Sequence, residues 1–80
     1  MVSTHLLRLP EVKSRTGLSR AAIYRKIKDG HMPPPVPIGT RAVAWIESEI
    51  ESFIRAIVQG KPENEIKNLV TDLVIQRGVE

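Results

Sequence analysis

Between Thr16 and Trp45 the backbone chemistry changes too often for any long element to run through. Gly17-Leu18-Ser19 interrupts one helical pattern and Gly30 closes a second. Met32-Pro33-Pro34-Pro35 then forbids helix outright, because proline lacks an amide donor and drives the residue before it toward extended geometry. A chain of 80 residues divided in this way must be assembled from short helices and a little sheet around one modest core. At this length only about 60% of the unfolded surface is buried on folding.

Each segment carries its own signals. Leu6, Leu7 and Leu9 lead into Pro10, which suits the first turn of a helix because its missing amide would have no partner there. A first helix is predicted from Pro10 to about Thr16, with Val12 and Thr16 one turn apart and Gly17 where a left-handed cap is expected. Leu18 stands where it can plug the gap to the next helix. Ser19 reads as the N-cap of a second helix over Arg20 to Lys28, its hydroxyl able to accept from the free amides of the first turn. At about 100° per residue, Ile23 and Ile27 share the inner face, Ala21, Arg25 and Lys28 point away from it, and Tyr24 lies on the flank.

Beyond the prolines, Val36-Pro37-Ile38 and Ala42-Val43-Ala44-Trp45 flank Gly39-Thr40-Arg41, which predicts a hairpin with Pro37 on an edge strand and Arg41 at the tip. Trp45 is placed in the core, anchoring the hairpin. Glu47, Ser48 and Glu49 begin a third helix with acidic residues at its positive end, and Ile46, Ile50, Phe53, Ile54 and Ile57 make its apolar stripe. After Gly60-Lys61-Pro62, Ile66, Leu69, Val70, Leu73 and Val74 follow the spacing of a strongly amphipathic fourth helix, ending near residue 76. The expected fold is mainly α with a small β-hairpin: a winged helix-turn-helix over residues 1–58, then a C-terminal helix within 59–80 that packs on the domain or pairs with a second copy.

Charge is distributed unevenly over these elements. Residues 1–45 hold eight basic and two acidic side chains, a net +6, whereas residues 46–80 hold four basic and seven acidic, a net −3. A cationic half on a small domain suits a polyanion, since every neutralised phosphate releases condensed counterions. The second helix concentrates the required groups: Ser19, Arg20, Ala21, Tyr24, Arg25, Lys26 and Lys28 combine cations and donors with a small residue that permits close approach. Arginine can bond a guanine edge through two donors, so Arg20 or Arg25 is the candidate base reader, while serine, tyrosine and lysine more often hold phosphate oxygens. Arg41 at the hairpin tip is the candidate for the backbone or the neighbouring minor groove. His31, just past the second helix, is expected to assist a phosphate contact or face water. The expected partner is therefore double-stranded DNA.

Other chemistries are poorly supplied. With no cysteine, disulfides and cysteine-ligated zinc are excluded, and His5 and His31 have no ligand spacing, so no metal or other cofactor is expected. There is no glycine-rich phosphate loop and no nucleophile with a recognisable base, which argues against an enzyme; Glu47, Glu49 and Glu51 read as helix-start charges. No apolar run approaches the roughly 20 residues of a membrane span. The start Met1-Val2-Ser3-Thr4-His5 lacks the features of a signal peptide, so a cytoplasmic location is expected.

Leu7-Arg8-Leu9-Pro10-Glu11-Val12, Thr16-Gly17-Leu18-Ser19, Ile23-Tyr24-Arg25, Lys28-Asp29-Gly30, Met32-Pro33, Pro35-Val36, Gly39, Arg41-Ala42-Val43, Trp45 and Glu47-Ser48-Glu49-Ile50 occur in an order that resembles the AlpA-like phage regulatory proteins, relatives of excisionases and of the DNA-binding half of MerR-type regulators. The resemblance covers about residues 6–55. It implies a winged helix-turn-helix from a prophage or integrated element that binds DNA near promoters or attachment sites, as a transcriptional regulator or as an excisionase that bends DNA. By position, the recognition helix begins at Ser19 and the wing turn is Gly39-Thr40-Arg41. Ala21 and Ala22 stand where the family often has a hydroxyl. The fourth helix inherits nothing from the resemblance. Its stripe Ile66, Leu69, Val70, Leu73 and Val74 is the candidate oligomer contact, or, as a different kind of function, the surface of a protein-interaction module.

Overall fold

A computed structural model describes residues 5–78. Met1 to Thr4, most of the segment read for leader features, and the last two positions of the 59–80 unit lie outside the described residues. The elements run β1 (Leu6–Leu7), α1 (Leu9–Thr16), α2 (Arg20–Lys28), β2 (Val36–Gly39), β3 (Ala42–Ile46), α3 (Glu47–Val58) and α4 (Glu63–Arg77).

Local chemistry accounts for most of the boundaries. Pro10 sits in the first turn of α1, and Gly17 ends that helix at φ 73°, with its amide bonded to the carbonyl of Lys13. Thr16 reinforces the same end: its hydroxyl donates to the carbonyl of Val12 at 2.8 Å and accepts from the amide of Leu18 at 3.2 Å. Leu18 packs against the core between α1 and α2. Ser19 caps α2 by accepting from the amide of Ala22 at 3.1 Å. Met32 and Pro33 are buried and Pro34 and Pro35 half-buried, so the proline run packs against the domain outside any helix or strand.

The sheet is larger than a hairpin. Its order is β1-β3-β2, all antiparallel, with Leu6 opposite Ile46 and Leu7 opposite Trp45. The apolar Leu6-Leu7 pair therefore adds a strand that periodicity could not reveal, since two residues are too few to show alternation. Central strand β3 buries Ala44 and Trp45 completely. β2 lies at the other edge, where the missing amide of Pro37 costs no ladder bond, and a bulge between Pro37 and Gly39 leads to the Thr40-Arg41 turn.

One apolar cluster joins every layer: Leu7, Val12, Ile23, Met32, Trp45, Ile50, Phe53, Ala56, Ile66 and Val70. The stripe expected on α3 is displaced. Ile57 is 48% exposed, whereas Glu49 and Ala56 are buried, because α4 packs on α3 and carries Arg77 to Glu49. The fourth helix also departs from expectation. Ile66 and Val70 enter the core and Leu69 packs against it, but Val74 and Ile75 are exposed, so its apolar residues are not confined to one face.

Candidate nucleic-acid interface

Helix α2 is held from beneath and capped at its N-terminus. Ile23 is fully buried and Ile27 packs against the core, which turns Ala21, Tyr24, Arg25 and Lys28 outward, and all four are exposed. Ser19 and Arg20 are exposed as well, at the N-terminal turn. Two aromatic contacts organise that turn. The Tyr24 ring meets Trp45 edge-on with centroids 6.2 Å apart, and the Arg20 guanidinium carbon lies 5.4 Å from the centroid of the Tyr24 ring. Because Trp45 belongs to β3, the aromatic pair ties α2 to the sheet that carries the hairpin. Arg20, Ala21 and Tyr24 enclose an open depression of about 300 Å³ on this surface. Arg41 occupies the turn between β2 and β3 and is exposed.

The expected site residues do not all converge. Lys26 is half-buried and lines a different cleft, with Arg15, Leu18 and Phe53, on the side of α2 toward α1 and α3. The helical wheel explains this, since Lys26 stands about 200° from Tyr24. Ser19 spends its hydroxyl on the cap bond to Ala22.

Cations divide into two groups according to their partners. Arg15, counted in the basic half, lies among Glu47 at 3.1 Å, Glu11 at 3.8 Å and Glu51 at 3.9 Å. Arg77 donates through Nε and Nη2 to the two carboxylate oxygens of Glu49 and through Nη2 to the carbonyl of Pro34. Lys61 pairs with Glu65. Among the described residues no carboxylate pairs with Arg20, Arg25, Lys28 or Arg41. Arg8, Lys13, Lys26, Arg55 and Lys67 are likewise without a carboxylate partner among the described residues, so unneutralised charge is densest on α2 but is not confined to it.

Three acidic roles escaped the sequence. Glu47 and Glu51 hold Arg15, and Glu49 is a nearly buried anchor for Arg77 rather than only a helix-start charge. The Glu49–Arg77 pair spans 28 positions, beyond any local spacing rule. His31 turns toward Glu63 of α4, 3.8 Å away, instead of toward the exposed face of α2. Of the candidate oligomer contacts on α4, Ile66 and Val70 are buried in the chain's own core, Leu69 and Leu73 are half-buried, and Val74 is 39% exposed.

Two short helices joined by a tight turn, with a β-hairpin beside the second, define a winged-helix-like fold whose outer helix presents free cations. Residues 5–57 match the family described as prophage CP4-57 regulatory protein (AlpA), and the chain belongs to that family. It is 42% identical over 55 residues to the ORF88 protein of Enterobacteria phage P4, a match covering 69% of this chain and 62% of the phage protein's length. It is 34% identical over 58 residues to the DNA-binding transcriptional activator AlpA of Escherichia coli strain K12, covering 65% of this chain and 83% of that activator. The family match ends before α4 begins. Among the described residues no helix is long and apolar enough to cross a membrane.

Proposed function

We propose that this protein is a sequence-specific regulator of transcription that binds double-stranded DNA on behalf of a prophage or integrated element. The observation that carries this is the exposed face of α2, where Arg20, Arg25 and Lys28 have no carboxylate partner among the described residues, together with the exposed Arg41 at the hairpin tip. Family membership and the likeness to an activator that binds DNA support it. The N-terminal turn of α2 enters the major groove, with Arg25 or Arg20 reading a guanine edge and Lys28 holding phosphate. Arg41 reaches the adjacent backbone or minor groove, where a narrow A·T-rich segment attracts a cation. Lys26 takes at most a peripheral part, because its side of the helix faces the cleft beside α3.

The test is a gel-shift titration with DNA upstream of genes in the same genomic element, at low salt, against random duplex of equal length. A retained complex that survives competition by random DNA is expected. Absence of any shift overturns the proposal.

A further inference from the structure

The depression beside the N-terminal turn of α2 has a composition unlike the rest of the basic face. It is open and is lined by Ala21, Tyr24 and Arg20. Both of the larger side chains make a contact of their own. Tyr24 is braced edge-on by the fully buried Trp45, and Arg20 stacks its guanidinium carbon over the Tyr24 ring. The surface of this recess is mostly apolar, with the Arg20 guanidinium at its border. It is a good site for a methyl group carried next to hydrogen-bond acceptors. In the major groove one group answers that description: the 5-methyl of thymine, which lies beside the thymine O4 and near the acceptors of a neighbouring purine.

We infer that Ala21 and Tyr24 form a seat for a thymine methyl group, with Arg20 held by Tyr24 to bond an acceptor on the adjoining base pair. This specificity rests on the DNA-binding role proposed above. Ala21 suits the task because it is the only residue on the outward face of α2 that is small, exposed and apolar at once. A longer side chain there fills the recess and holds the groove away.

The test compares thymine with deoxyuracil, which differ by that methyl alone. Preferred duplexes are first selected from a randomised pool with the full chain; each thymine is then replaced singly by deoxyuracil and the Kd measured. At one thymine per bound protein the wild type is expected to weaken about fourfold, the effect of losing one buried methyl-sized contact. Ala21→Ser, which keeps the helix and puts a hydroxyl in the seat, is expected to bind both duplexes within twofold of each other. Tyr24→Ala is expected to lose the same discrimination, whereas Arg41→Ala weakens binding but keeps the fourfold ratio. Circular dichroism confirms that each variant is folded. If deoxyuracil is neutral at every position, or if Ala21→Ser keeps the wild-type ratio, the seat is wrong while DNA binding stands. If no duplex is selected at all, the DNA-binding role falls and takes the seat with it.

Discussion

Arg25 and Lys28 share one exposed face of α2 but suit different work, and substitution separates the two. Arg25→Ala is expected to cost about 1–3 kcal/mol at a selected site and much less on random DNA, if its guanidinium reads a base edge. Lys28→Ala is expected to weaken both by a similar amount and to lower the salt dependence by about one phosphate contact. Equal losses on both DNAs for Arg25→Ala demote it to a phosphate contact. Lys26→Ala is expected to change affinity less than Lys28→Ala, since Lys26 lies in the cleft with Arg15 and Phe53. Trp45 acts at the same scale but through folding. It is completely buried, so Trp45→Ala is expected to lower stability by roughly 3–5 kcal/mol in chemical denaturation, a large share of what a small domain has. A folded Trp45→Ala variant of wild-type stability contradicts its place in the core.

At the level of elements, what could be read in advance followed from how local the cause was. The bounds of α2, its Ser19 cap, the Gly17 ending of α1 and the edge position of Pro37 each depend on residues within one turn or one strand, and all were legible from the sequence. The β1–β3 pairing was not, because Leu6-Leu7 is too short to declare a strand and its partner lies some 40 positions on. The buried ion pair was invisible for a similar reason: nothing near Glu49 or Arg77 says that α4 folds back over α3. That pair gives α4 a defined seat. Removing one member leaves the other charge in a site where Glu49 has only 5% of its surface exposed, so Arg77→Ala is expected to destabilise the fold by about 3 kcal/mol. Replacing both, Glu49→Leu with Arg77→Met, is expected to recover most of that loss, because no unpaired charge is then buried. An Arg77→Ala variant as stable as the wild type means the contact is peripheral. Ser19→Ala is expected to cost about 1 kcal/mol through loss of the cap, measured in the same way.

For the molecule as a whole, charge is arranged by pairing as much as by position. Beneath a net of +3, Arg15, Lys61 and Arg77 are held by carboxylates, while the cations of α2 and the hairpin tip, like Arg8, Lys13, Arg55 and Lys67, have no carboxylate partner among the described residues. The sequence exposed the uneven distribution but counted Arg15 among the available cations, since its three carboxylate neighbours come together only when α3 packs against α1. On α4, for which the sequence left packing on the domain and pairing with a second copy both open, Ile66 and Val70 complete this chain's own core. The outward face of α2, together with the Thr40-Arg41 turn, is the surface proposed to bind DNA. Amide chemical-shift mapping on titration with a selected duplex tests it most directly. The expected result is a set of perturbations clustered on Ser19, Arg20, Ala21, Tyr24, Arg25, Lys28, Thr40 and Arg41, with α4 unmoved. Perturbations confined to α3 and α4, with that set silent, would contradict it.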